Sequence, residues 1–182
     1  MNRIVAGLAL TIAASVGLAG NAQAALPPGA HAPDFSAPAA LGGKGFTFNL
    51  ASALKRGPVV LYFYPAAFTS GCTIEAHEFA EAADSFKKLG ATVIGATGGN
   101  TDRLVQFSVS ECRSKFATAG VTPQVIRAYD AVLSMKPEWS NRTSYVIAPD
   151  GVILLAYTDP SPDKHVEKTL SAVRAWRAAH PG

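Results

Sequence analysis

Pro65-Ala66-Ala67-Phe68-Thr69-Ser70-Gly71-Cys72 stands between an apolar run, VVLYFY (Val59–Tyr64), and the amphipathic stretch TIEAHEFAEAADSFKKLG (Thr73–Gly90). The run before it, bounded by Pro65, has the composition of a buried strand. In the stretch after it, Ile74, Phe79, Ala83, Phe86 and Leu89 fall along one face of a helix over Cys72–Leu89, which Gly90 stops. A strand, a tight turn and a helix follow, with a lone cysteine at the junction of turn and helix. A Cys-x-x-Cys redox turn would carry its first thiol at position 69. Here that residue is Thr69.

The pattern repeats on both sides. Ala91–Ala96, Ser144–Ile147 and Val152–Tyr157 are further strand-like runs, and Pro149-Asp150-Gly151 joins the last two as a hairpin. Helical patterns cover Thr101–Cys112 (Leu104, Val105 and Phe107 on one side, Thr101 as a candidate N-cap), Pro123–Val132 and Asp163–Ala179. Ala25–Pro38 is a Pro/Ala-rich extended lead-in. In Gly42–Leu54, Phe46 and Phe48 alternate after a glycine turn, which suggests a small hairpin and then a helical turn. Val132–Arg142 is the longest irregular connection and ends on an arginine before a strand. Central strands flanked by helices, with a hairpin at the N-terminal end, make an α/β domain with helices on both faces of the sheet.

Positions 1–24 read differently. Asn2 and Arg3 precede an uncharged apolar run, Ile4–Gly20, and Ala22 and Ala24 place small residues before a cleavage point. That is the form of a cleavable export signal. A membrane anchor is the alternative, for which the run is short. A single domain from 25 to 182 is then expected in the periplasm or outside the cell. Without Arg3 it carries 15 basic and 13 acidic side chains, too balanced for a nucleic-acid partner, and no Lys/Arg stripe is interleaved with aromatics. No later segment is apolar enough to span a bilayer. His31, His77, His165 and His180 lack ligand spacing, so neither a metal nor a cofactor is expected. Cys72 and Cys112 are the two cysteines, and in an exported chain they most simply suggest one disulfide.

At the start of a helix, free N–H groups and the helix dipole favour a thiolate at Cys72. Thr69 or Ser70 can cap that helix, and Glu75 suits its first turn. Each of these also has a purely structural reading: an N-cap for Thr69, a surface acid for Glu75, an inert buried thiol for Cys72.

PAAFTSGC resembles the peroxiredoxin active-site pattern Pro-x-x-x-Thr/Ser-x-x-Cys. HAPDF (His31–Phe35), TIEAHEF, GATVIGATGGN (Gly90–Asn100) and RTSYVIAPDG (Arg142–Gly151) also have counterparts in that family, over about 28 to 180. The chain is most similar to the PrxQ branch, also called bacterioferritin comigratory protein. The resemblance implies a thioredoxin-like fold and reduction of peroxides. Cys72 would be the attacking thiolate and Thr69 the hydroxyl that holds the peroxide. Arg142 would favour the thiolate and polarise the peroxide, Glu75 would orient Arg142, and Pro65 would shield the site.

Many members of that branch place a second cysteine five residues after the first. Here that residue is His77, a packing or surface residue rather than a proton relay. Cys112, forty residues downstream, is the remaining thiol. The resemblance implies an intramolecular Cys72–Cys112 disulfide in the reaction cycle. A spectator Cys112 and a permanent structural disulfide stay open. A thioredoxin-like protein or a small thiol would be the reductant, and the protein a monomer or weak dimer. Two other functions compete: an envelope thiol–disulfide oxidoreductase without peroxidase activity, disfavoured by Thr69, and a copper carrier, disfavoured because Cys72 has no nearby second thiol.

Overall fold

A computed structural model describes residues 25–181. The leader assigned to 1–24 lies outside them.

Seven strands form one mixed sheet, in the order β2-β1-β5-β4-β3-β6-β7. The strands are β1 (Ser36–Leu41), β2 (Lys44–Asn49), β3 (Val59–Phe63), β4 (Thr92–Thr97), β5 (Ala117–Gly120), β6 (Thr143–Ile147) and β7 (Ile153–Thr158). Five α-helices accompany them: α1 (Leu50–Leu54), α2 (Ser70–Lys88), α3 (Leu104–Ser110), α4 (Pro123–Ala128) and α5 (His165–Ala179). β3 is buried at every residue and sits between parallel β4 and antiparallel β6. That is why VVLYFY is continuously apolar rather than alternating.

The period of two along β3 divides the interior. Val59, Leu61 and Phe63 face a layer with Leu50 and Leu54 of α1 and Ile126 of α4. Val60, Tyr62 and Tyr64 face Phe79 and Phe86 of α2, Phe107 of α3 and Val173 of α5. Phe79 stacks on Tyr62 at 4.3 Å between ring centres, fixing the rotation of α2 over the sheet. Both cysteines lie in this second layer.

The sheet and its flanking helices bear out the expected α/β architecture, with local corrections. The lead-in reaches into β1, which turns at Gly42-Gly43 (φ +54° and +81°) into β2. The helix expected from Cys72 begins at Ser70. Its buried stripe is Cys72, Glu75, Ala76, Phe79, Ala80, Ala83 and Phe86, and Ile74 points outward, 49% exposed. Phe79, Ala83 and Phe86 lie on the expected face and Leu89 packs at its edge; Ile74 alone is off it, its place in the first turn taken by Cys72, Glu75 and Ala76. Thr101–Cys112 is not one helix. Asn100 is left-handed (φ +53°), Thr101–Arg103 form a 3-10 turn, and α3 ends at Ser110. Val105 is half exposed, and Cys112 lies in the turn beyond the helix. α4 ends at Ala128, short of Val132, and α5 starts two residues after Asp163.

Candidate active site

The turn quoted at the outset is held at both ends of its backbone. After β3, Tyr64 N–H donates to Ala96 and Ala67 N–H to Gly99. Thr97 Oγ1 donates to the Pro65 carbonyl (2.9 Å), Asn100 Nδ2 to that of Ala67 (2.9 Å) and Ser140 Oγ to that of Tyr64 (2.6 Å). Phe68 takes φ +63°, uncommon for a bulky residue. Its ring lies edge-on to Phe107 and under the Arg103 guanidinium, 4.0 Å away. Gly99 is required where β4 passes the turn, since a Cβ there would lie 2.4 Å from the Pro65 carbonyl oxygen.

Thr69 is the residue before α2, but its side chain does not cap the helix. Its Oγ1 donates instead to the Ala66 carbonyl, 3.1 Å. The first helical bond is Thr73 N–H to the Thr69 carbonyl. The N–H groups of Ser70, Gly71 and Cys72 are therefore the free donors of the first turn, with Cys72 among them.

Cys72 is 1% exposed, and Arg142 Nη2 reaches its sulfur at 3.7 Å. Arg142 ends the irregular connection one residue before β6, whose pairing with β3 carries it to the start of α2. Gly71 gives it room: a Cβ there would lie 3.0 Å from Nη2, so the guanidinium would have to shift. Arg142 Nε donates to the Pro160 carbonyl (3.0 Å), and Nη1 donates to Glu75 Oε2. Glu75 is fully buried, which rules out the alternative of a surface acid. Burial pushes its carboxyl up to about 8, with Arg142 pulling the other way. Thus Cys72, Arg142 and Glu75 converge, with Thr69 and Pro65 on the same turn.

His165 is a member that sequence reasoning passed over. It opens α5, is fully buried, and places Nδ1 3.7 Å from Glu75 Oε1. Nδ1 also meets Ser144 Oγ at 2.8 Å, and Nε2 meets the Asp159 carbonyl at 3.1 Å. A histidine inside an amphipathic helix pattern carries no spacing signal. Only the packing of α5 on α2 and β6 brings it here.

Cys112 is fully buried, and both cysteines are free thiols rather than a bridged pair. Burial pushes the Cys112 thiol far up, and Glu111 beside it acts in the same sense. The two residues after it, Arg113 and Ser114, have φ of +49° and +54°. Three side-chain pairs tie this turn to one face of α2: His77–Glu111 (2.9 Å) and the ion pairs Glu81–Arg113 (3.2 Å) and Asp84–Lys115 (3.4 Å). His77 is therefore a surface residue with a partner.

Residues 28–156 match the AhpC/TSA family. The chain is 33% identical over 137 residues to the chloroplastic peroxiredoxin Q of Sedum lineare, which covers 69% of this chain and 68% of that protein. It is 33% identical over 133 residues to the chloroplastic peroxiredoxin Q of Populus jackii, covering 72% and 62%. Among solved structures, the peroxidoxin BcpB of Mycobacterium tuberculosis superposes with a TM-score of 0.72 at 29% identity, over 81% of this chain and 96% of that one.

Proposed function

The chain belongs to the AhpC/TSA family, on its peroxiredoxin Q branch, and is a peroxiredoxin; from that premise we propose a thiol peroxidase in which Cys72 attacks hydrogen peroxide or an organic hydroperoxide. The observation that carries this assignment is the sulfur of Cys72 in the first turn of α2, 3.7 Å from Arg142 Nη2.

The Cys72 thiolate attacks the nearer peroxide oxygen. The O–O bond breaks, the sulfur becomes a sulfenic acid, and the departing alkoxide or hydroxide takes a proton from water. Negative charge moves from sulfur to the leaving oxygen, and Arg142 lies where it can follow that charge. Thr69 Oγ1 donates to Ala66, which leaves its lone pairs to accept the peroxide O–H. The Cys72 N–H is a second donor. Pro65 closes the turn against bulk water, and Glu75 fixes the guanidinium.

Cys112 then attacks the sulfenic sulfur, forming the Cys72–Cys112 disulfide and releasing water. Both thiols are buried and unbridged in the structure, and a bridge needs their Cα atoms within about 7 Å. The strained, ion-paired turn around Cys112 is the segment suited to open, as local unfolding of such turns is cheap. A thioredoxin-like dithiol or a small thiol restores both cysteines. Positions 1–24 export the chain to the periplasm or beyond, where it works as a monomer or weak dimer.

The assay is peroxide consumption by the reduced protein with a thioredoxin-type reductant. The wild type consumes hydrogen peroxide or an organic hydroperoxide, and Cys72→Ser consumes neither. Exchange of disulfides without peroxide consumption would return the chain to the oxidoreductase alternative.

A further inference from the structure

Beneath the Cys72–Arg142 contact, one buried oxygen has no hydrogen bond. Glu75 Oε2 receives Arg142 Nη1, while Oε1 has no partner. An orphaned carboxylate oxygen in an interior is costly. The ring nitrogen facing it is His165 Nδ1, 3.7 Å away. His165 Nε2 meets a carbonyl, that of Asp159, which can only accept. Nε2 therefore carries the proton of the neutral ring, and Nδ1 presents its single lone pair. That lone pair takes a proton from Ser144 Oγ at 2.8 Å or from Glu75, but not from both.

We propose that His165 is a positioning residue of the peroxidase site: its Nδ1 shares one proton with Oε1 of Glu75, and that proton sets how much of the Arg142 charge is left for Cys72. The inference rests on the peroxidase assignment and extends it. With the proton in place, Glu75 is neutral and the guanidinium charge is directed at the sulfur; the orphaned oxygen gains its partner as Nδ1 turns from Ser144 and closes the 3.7 Å between them. With the proton gone, the carboxylate holds that charge to itself. Burial favours the first arrangement. It pushes Glu75 up to about 8 and holds His165 below the ordinary histidine value, so the carboxyl is the group that keeps the proton.

The charged and titratable groups around the pair come from every neighbouring element. Tyr62 lies on β3 and Tyr64 just beyond it, Cys72 and Glu78 on α2, Arg142 just before β6 and Tyr157 on β7. Asp159, Asp163 and Lys164 lie in the connection that follows, and Glu167 on α5. Tyr157 packs edge-on to the imidazole at 4.8 Å. Carboxylates outnumber the cations in this shell, which helps to retain the proton.

The test is the single-turnover rate of Cys72 oxidation by hydrogen peroxide, followed against pH in the reduced full chain. The wild type falls about tenfold through a break near 8, as one charge-assisted contact is redirected. H165Q moves that break by about one unit or more, and H165N, whose amide can stand where Nδ1 stood, restores it. E75Q shows no break. An unchanged break in H165Q overturns the proposal, as does a uniform loss of rate at every pH in both histidine variants. If these variants do not fold, the imidazole nitrogens of His165 are titrated by NMR in the wild type. Nδ1 shifts through the same pH as the kinetic break, and a pH-invariant Nδ1 overturns the proposal. Absence of any peroxide consumption by the wild type defeats the peroxidase assignment instead, and the imidazole titration still tests the proton site.

Discussion

Arg142 Nη2 stands 3.7 Å from the Cys72 sulfur, although 70 residues separate them in the chain. The contact is a product of topology. β6 pairs antiparallel with β3 and brings its first residues to the C-terminal end of β3, from which α2 departs. Arg142→Lys keeps the charge but loses the planar fork that serves Glu75 and Cys72 together. The rate of Cys72 oxidation is expected to fall about a hundredfold, measured by stopped flow. Gly71→Ala, which crowds Nη2, is expected to fall less and in the same direction. Wild-type rates in Arg142→Lys would remove the guanidinium from the mechanism.

Thr69 separates two roles cleanly, because its side chain makes no capping bond. Thr69→Val keeps the shape and loses the hydroxyl, and Thr69→Ser keeps the hydroxyl. Peroxide oxidation is expected to slow about a hundredfold in the valine variant and little in the serine variant. The valine variant also loses the bond to the Ala66 carbonyl and should melt lower than the serine variant by the equivalent of about 1 kcal/mol. Equal oxidation rates in both would make Thr69 a structural residue.

The turn holding Cys112 combines strain at Arg113 and Ser114 with three side-chain pairs to α2. Two of these pairs are largely solvent-exposed and worth at most about 1 kcal/mol each, and salt screens them. Disulfide formation after Cys72 oxidation is therefore expected to quicken several-fold at high salt and in the double variant Glu81→Gln, Asp84→Asn, while the oxidation step does not change. Cys112→Ser should keep the oxidation step and lose thioredoxin-coupled turnover. A salt-independent disulfide step would show that this turn is not what opens.

Stability should vary with pH in a way that names its groups. The Glu75 carboxyl is raised in the fold to about 8 from an ordinary 4.5, so its contribution is fully present below 4.5 and is lost as pH rises through 8. His165 is lowered, so its contribution is present above 6.5 and is lost as pH falls below that value. Urea midpoints should therefore decline on both sides. Glu75→Gln should flatten the alkaline decline, a difference of a few kcal/mol at most. An alkaline decline identical in Glu75→Gln would assign it elsewhere, with Cys112 the next group of the same sign.

The sheet was legible because its strands announce themselves: VVLYFY is buried on both faces, and Pro149-Asp150-Gly151 turns β6 into β7. The place of Cys72 was legible for a similar reason, since Pro, Gly and a helix start shape one local turn; the same turn made Thr69 look like a cap, which it is not, and the site roles of Thr69 and Pro65 came from a family resemblance. Arg142 and Glu75 came from a family resemblance, and their pairing is a tertiary fact that spacing could not supply. His165 was not legible at all. Its role depends on the docking of α5, and its neighbours in sequence carry no sign of it. Cys112 was misplaced into a helix because Thr101–Cys112 keeps a helical apolar period even though left-handed Asn100 and the strained Arg113-Ser114 pair clip both ends. The export leader at 1–24 rests on composition alone.

The central claim is that Cys72 is the atom that takes oxygen from a peroxide. The most direct measurement is the mass of reduced Cys112→Ser protein after mixing with one equivalent of hydrogen peroxide, with the modified residue located by fragmentation. A single added oxygen on Cys72, trapped by a sulfenic-acid reagent, is expected within one turnover. Unmodified Cys72 with peroxide remaining in solution, or oxygen added elsewhere first, would contradict it.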